Sequence, residues 1–459
     1  MDKLSLLKAR NEEILAAGSE IRKKLAEIID GDSFVESDSY SFSRNEFYGE
    51  DVPGEGVVTG FATVNDFPCY VVCLNSQILG GGLTDAGCKK IVKCLDKALN
   101  AKAPVLYLLS SKGVVAGDGV SPLEGVSEVL SAMDELKGEV PQFAVCIGDV
   151  FGQASLFVAA ADYTYFTKDT CVAYGSPVVI AAKSGKYADK AAIGGTASAK
   201  GNDLAYFEVS ELSEVATSMA NILDILPDYG GTELETMDDA NRACPALNDK
   251  ADAASLIKAV FDENYFVELG AYFAKEVVTG IGRIGGYSAG AVVFDGKDGV
   301  ELNNANIKKL QDFYWYCDVN NLPVVTFVNT LGLENSLSLA ATPVLKEVSD
   351  LISLLKTDVP RINVIYGKAV GLGYTLFGSK TFNVDYAYAF ANAKIALFDS
   401  NVGAEMELVA KGGDYEEIKK RYEDDEMDAV NAARKGYVDD VIEPQYVRQY
   451  VISALMTLV

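Results

Sequence analysis

The chain contains itself twice, and no other feature constrains its fold as much. Phe34-Val35-Glu36 recurs as Phe266-Val267-Glu268, and Val57-Val58-Thr59-Gly60 recurs as Val277-Val278-Thr279-Gly280. Further along, APVLYLLSSKGV at 103–114 lies over LPVVTFVNTLGL at 322–333, with Gly113 on Gly332. VPQFAVCIGDVFGQA at 140–154 lies over VPRINVIYGKAVGLG at 359–373, with Gly148 on Gly367 and Gly152 on Gly371. Both pairs keep one offset, 219 residues (103 to 322, 140 to 359). Asp162-Tyr163 returns as Asp385-Tyr386. Five matches in the same order mean duplication, and 459 residues suit two tandem domains at ~100–200 residues each.

Within each copy, short apolar runs alternate with helical periodicity, which predicts an α/β layered domain. The stretch 122–137 puts Leu123, Val126, Val129, Leu130, Met133 and Leu136 on one helical face, and Pro122 suits its first turn. The stretch 84–102 reads the same way, with Ile91, Leu95, Ala98 and Leu99 inward. Residues 1–30 read as an amphipathic, charged helix outside the repeat. The first copy then occupies 31–226, a polar, acidic, turn-rich linker 227–252, and the second copy 253–459. The acidic run at 413–427 reads as a solvated helix face.

Composition narrows the chemistry. The chain has no histidine, so Ser-His-Asp and Cys-His nucleophiles and imidazole-bearing zinc sites are excluded. Its eight cysteines form no CxxC pair and sit mostly in apolar runs, as buried reduced thiols do; no metal site is expected. Against 66 Asp and Glu stand 40 Lys and Arg, a net charge of −26 that disfavours nucleic acid and anionic membrane. The charged start, MDKLSLLKARNEE, lacks a signal-peptide core, and no run of ~18 apolar residues spans a bilayer. A cytosolic, soluble chain is expected.

Four strongly apolar strands run into glycine turns, two per copy: Ser111-Lys112-Gly113-Val114, Phe151-Gly152-Gln153-Ala154, Leu331-Gly332-Leu333 and Val370-Gly371-Leu372-Gly373. Glycine there permits a positive φ or a close approach to a ligand. Two such turns side by side leave backbone N–H groups aimed at one point, which is an oxyanion hole for a developing carbonyl anion.

With these residues in hand, the chain resembles the carboxyltransferase family of biotin-dependent acyl-CoA carboxylases and decarboxylases, built from two crotonase-like ββα-superhelix domains. The resemblance covers nearly all of residues 20–459 and is carried by DGDSFVES, GEGVVTGFATVNDFPCYV, GIGRIGGYSAGAVV, GSKTFNVDYAYAFANAKIAL and the tail RKGYVDDVIEPQYVRQYVISAL. It implies that Gly113, Val114, Gly152 and Gln153 hold the thioester carbonyl of an acyl-CoA. Lys112 and Ala154 would flank that substrate. It implies equally that Gly332, Leu333, Gly371, Leu372 and Gly373 hold the ureido oxygen of biotin carried on a separate protein. In the family, carboxybiotin releases CO2, biotin removes the α-proton, and the thioester enolate captures the CO2. Such chemistry needs backbone donors and no imidazole. Further implied partners are a biotin carboxylase, membrane subunits in decarboxylase systems, and a homo-oligomer, commonly a hexamer with the site shared between subunits. The chain has no biotin-attachment Met-Lys-Met motif and no N-terminal CxxC ribbon.

The chain departs from the family at every junction. The usual Ser-Gly-Gly-Ala-Arg is Ser111-Lys112-Gly113-Val114-Val115, Ala-Gly-Gly-Ala is Phe151-Gly152-Gln153-Ala154, and Gly-Gly-Ala is Gly371-Leu372-Gly373. Pro-Gly-Phe-x-Pro-Gly is Leu331 to Ser336. N–H donation survives a side-chain change, whereas Val or Leu at a positive φ is strained. Two other readings therefore stand beside the carboxyltransferase. One is a non-catalytic or assembly paralogue of the fold. The other is a biotin-independent crotonase-type enzyme using Asp118 or Glu124 as general acid or base. Lys183, Lys186 and Lys190, after a strand expected at 171–181, would face the phosphates of CoA or lie in a surface loop.

Overall fold

The structure, a computed structural model, describes residues 2–41, 53–263 and 265–459. The chain divides into two compact units, Met1–Asn221 and Ile222–Val459.

In the first unit the sheet runs β1 (Val35–Ser37), β2 (Val57–Val64), β3 (Phe67–Leu74), β4 (Val105–Ser111), β5 (Gln142–Phe151), β6 (Tyr163–Thr167) and β8 (Phe207–Val209), with β7 (Val172–Ala173) also on β5. β1 to β3 pair antiparallel and β3 onward pair parallel. The central strands are continuous apolar runs because helices or loops cover both faces: β4 has five fully buried residues in succession, Val105 to Leu109. The helix Asp85–Ala101 starts at Thr84, whose hydroxyl accepts the Gly87 N–H at 3.0 Å, and ends on Lys102 at φ 49°. It packs Ile91, Leu95 and Ala98 into the core with Val126, Val129, Met133 and Leu136 of the helix Ser121–Glu135 and its C-cap. Leu99 and Leu130 border that core, and Leu123 is exposed.

The second unit repeats the plan. Its sheet runs β9 (Phe266–Leu269), β10 (Val277–Ile284), β11 (Tyr287–Phe294), β13 (Val324–Leu333), β14 (Arg361–Val370), β15 (Tyr386–Phe390) and β17 (Asp440–Ile442). β12 (Val300–Leu302) lies on β13 and β16 (Lys394–Ala396) on β14. The sequence repeat is thus a topological repeat, with β9 to β11 standing for β1 to β3 and β13 to β15 for β4 to β6.

A duplicated carboxylate sets the entry to each sheet. The β2–β3 hairpin turns on Asn65 and Asp66, and β10–β11 on Gly285 and Gly286, all four at positive φ, as a two-residue hairpin turn requires. Asp30 accepts the Asn65 and Asp66 N–H groups at 2.9 and 3.0 Å. Asp262 accepts those of Gly285 and Gly286, both at 2.8 Å.

Three local expectations change. The single helix expected over residues 1–30 is two helices, Lys3–Ala17 and Ser19–Ala26, broken at Gly18. The strand expected at 171–181 is only β7. Ser176 then caps a helix, Pro177–Ser184, with its hydroxyl on the Val179 N–H, and Pro177 at the first turn fixes the helical φ. The acidic run is solvated through the helix Tyr415–Arg421, but Ile418, Tyr422 and Met427 turn inward, Tyr422 and Met427 against Val370.

Candidate active site

In both units the strand that ends at a turn is bulged just before it. The β4–β5 register shifts between Leu109 and Ser111, and the β13–β14 register between Val328 and Thr330. The bulge re-aims the strand end, and a hydroxyl then fixes the turn. Ser111 Oγ donates to the Gly81 carbonyl at 2.6 Å and accepts the Gly113 N–H at 3.1 Å. Thr330 Oγ1 donates to the Val300 carbonyl at 2.7 Å and accepts the Gly332 N–H at 3.1 Å. Sequence reading missed these two hydroxyls, although they share the 219-residue offset (111 to 330).

The four turn glycines take left-handed backbones: Gly113 at φ 99°, Gly152 at 62°, Gly332 at 86° and Gly371 at 53°. None of Val114, Gln153, Leu333 and Leu372 is at positive φ. The strain foreseen for Val or Leu in these turns therefore does not arise, because the chain keeps glycine where the backbone needs it and varies the neighbours. Gly373 is αR, and its freedom is spatial: a Cβ there would lie 2.7 Å from Thr330 Cγ2.

The turns of each unit are in contact. A Cβ on Gly113 would lie 3.5 Å from Gly152 Cα, and one on Gly332 would lie 3.3 Å from Leu372 N and 3.2 Å from Gly373 N. The glycine N–H groups are themselves engaged, those of Gly152 and Gly371 by the Tyr174 and Ala396 carbonyls. The free donors are their neighbours. Leu83 N–H donates to the Gly113 carbonyl and Val115 N–H to the Leu83 carbonyl. In a parallel bridge of this kind the intervening residue, Val114, turns its own N–H to the other edge, the side of β5. Gln153 N–H opens the single helical turn Gly152–Ala154, where no preceding carbonyl is in register to accept it. In the second unit Glu334 N–H donates to the Leu302 carbonyl, which leaves Leu333 N–H facing β14. Leu372 and Gly373 precede the helical turn Tyr374–Gly378, so their N–H groups are first-turn donors. Each unit thus carries these backbone N–H groups beside two glycine turns that are in contact.

Asp149 of β5 meets Lys190 at 2.6 Å, and Lys368, its counterpart on β14, meets Asp399 at 2.8 Å. Lys183 and Lys186 are exposed, Lys183 in the last turn of its helix. Glu124 is exposed in the first turn of the helix Ser121–Glu135. Asp118 ends the turn Ala116–Asp118, and its side chain lies outside the described residues.

Seven of the eight thiols are buried. Burial pushes Cys69, Cys88 and Cys94 up to about 12 and Cys73 and Cys146 higher still, so their thiolates are scarce at neutral pH. Among the described residues no group of three His, Cys, Asp or Glu is placed to hold a metal ion, and no helix is long and apolar enough to cross a membrane. A cavity of about 460 Å³ in the second unit, lined by Asp238, Asp262 and Arg283 among others, includes none of the turn residues.

Two sheets of one topology, each ending in a pair of touching glycine turns, define the double crotonase-like carboxyltransferase fold. Residues 16–459 match the family described as carboxyl transferase domain, and the chain belongs to that family. It is 28% identical to the propionyl-CoA carboxylase carboxyltransferase subunit of Haloferax mediterranei, across 100% of this chain and 96% of that protein. It is 26% identical to the methylmalonyl-CoA decarboxylase subunit alpha of Veillonella parvula, again across 100% and 96%. The solved structure of transcarboxylase 12S, a hexamer with methylmalonyl-coenzyme A and methylmalonic acid bound, superposes with a TM-score of 0.92 at 23% identity, covering 99% of this chain and 95% of that one. The fold expected from the resemblance is the fold observed.

Proposed function

We propose that the chain moves a carboxyl group between carboxybiotin on a separate carrier protein and a short acyl-CoA of the propionyl/methylmalonyl type. What supports this reading is the contact between the two glycine turns of each unit, beside which lie the backbone N–H groups of Val114 and Gln153 in the first and of Leu333, Leu372 and Gly373 in the second. Removing one such donor from an oxyanion hole typically costs ~10²–10³ in rate. The first set suits a thioester oxygen that becomes an enolate. The second suits a ureido oxygen, an acceptor with no proton of its own to place, and so fits biotin without an ionisable partner. Bound there, biotin supplies the CO2 and the base; the chain's residues polarise two oxygens and hold the turns rigid. Glycine at all four left-handed positions supports an active enzyme over a non-catalytic paralogue. A biotin carboxylase, a biotinylated carrier and a homo-oligomer complete the proposal.

The test mixes the purified protein with malonyl-CoA, methylmalonyl-CoA or glutaconyl-CoA, with and without free biocytin. Biocytin-dependent loss of methylmalonyl-CoA is expected. Loss independent of biocytin replaces this reading with a biotin-independent crotonase reaction.

A further inference from the structure

The two turn pairs are alike in backbone and unlike in the side chains that flank them. Lys112 immediately precedes Gly113, and its stem lies across Gly80, its Cδ 2.7 Å from where a Cβ on that glycine would be. Leu331 precedes Gly332 and lies across Gly299 in the same way, its Cγ 3.1 Å from the corresponding point. Gln153 follows Gly152, and Leu372 follows Gly371. At the two equivalent positions beside its turn glycines the first unit thus carries a cation and a carboxamide, and the second carries two leucines.

Neither polar side chain is used by the fold. Lys112 is exposed and makes no ion pair among the described residues; the half-buried Gln153 carboxamide makes no hydrogen bond among them. The neighbouring charges, Asp149 and Lys190, are engaged with each other. A lysine and a carboxamide present N–H donors and a positive charge, which suits a carboxylate. Leucines at the same two positions suit a flat, uncharged ring.

From this asymmetry we infer that Lys112 and Gln153 recognise the free carboxylate of a carboxylated acyl-CoA at the first-unit hole, and so determine which of the two thioesters the site prefers. The inference deepens the carboxyltransferase reading and rests on it. The thioester oxygen is held by the backbone N–H groups of Val114 and Gln153. The carboxyl group, two bonds from the thioester carbon, is then within reach of side chains that spring from the residues beside the same glycine pair. The uncarboxylated thioester offers these side chains nothing to bind, so their effect is on discrimination between the two.

The test measures dissociation constants of methylmalonyl-CoA and propionyl-CoA by calorimetry, for the wild type and for Lys112→Leu, Gln153→Leu and their double variant, which gives the first unit the flanks of the second. Loss of a hydrogen bond to a charged group corresponds to roughly 10- to 100-fold. That loss is expected for methylmalonyl-CoA, well beyond any change for propionyl-CoA, and Gln153→Glu is expected to weaken methylmalonyl-CoA further by repulsion. Lys112→Arg is expected to retain the discrimination. Equal weakening of both thioesters, or no change in either, overturns the assignment while leaving the carboxyltransferase reading intact. A wild type that binds neither thioester overturns both.

Discussion

Gly113 and Gly152 meet backbone to backbone: a Cβ on Gly152 would lie 3.3 Å from Gly113 Cα, and one on Gly113 would lie 3.2 Å from the Phe151 carbonyl oxygen. Nothing larger than glycine holds the two turns this close at these backbone angles. Gly113→Ala, at φ 99°, is expected to cost about 1–3 kcal/mol in strain. It should also displace the Val114 and Gln153 donors and lower kcat/KM by about 100-fold or more. Thermal unfolding and the biocytin assay on one preparation check both. A variant as active as the wild type would show that the first-unit hole is not part of the reaction.

A second prediction concerns the C-terminal helix Val447–Leu458. Arg448 is fully buried there and donates to Asp262 at 2.6 Å and to the Val260 carbonyl. Asp262 is the carboxylate that also holds Gly285 and Gly286. Arg448→Met leaves a buried carboxylate without its cation, and breaking such a pair costs about 3–5 kcal/mol. Asp262→Asn added to it should recover part of the loss, because the uncompensated charge goes with it. Denaturant titration of the two variants reads the difference.

The third prediction is a pH dependence. Enclosure at the start of β6 pushes the Asp162 carboxyl up to about 7, although the Gln142 N–H at 2.8 Å and Lys137 both favour its charged form. In the unfolded chain it titrates near ~3.9. Between those values the folded state binds the extra proton, so this group's contribution to stability is greatest in acid and declines as pH rises through about 7. The chain has no histidine, so few ordinary groups share that window. Tm should fall from pH 5 to pH 8 less steeply in Asp162→Asn than in the wild type. Identical slopes would show that Asp162 is ionised throughout.

The duplication was fully legible in the chain: matching strings at 103–114 and 322–333 became β4 and β13, and those at 140–154 and 359–373 became β5 and β14. So were the turn glycines, because a positive φ is a steric property of one residue and glycine announces it locally. Helix details were less so. Leu123 fits the apolar stripe of its helix yet is exposed, since a stripe says which side is apolar and not how far the neighbouring element reaches.

What the sequence by itself determined is therefore the repeat, its α/β layering and the four positions where the backbone must turn left-handed. What only the tertiary structure decided is which peptide groups remain free at those turns. Gly113 and Gly332 spend their N–H groups on Ser111 and Thr330, and Val114 and Leu333 keep theirs because the adjoining strand takes the peptide groups on either side. Hydrogen-bond direction at a strand end depends on which neighbour lies along each edge, and that neighbour comes from a distant part of the chain.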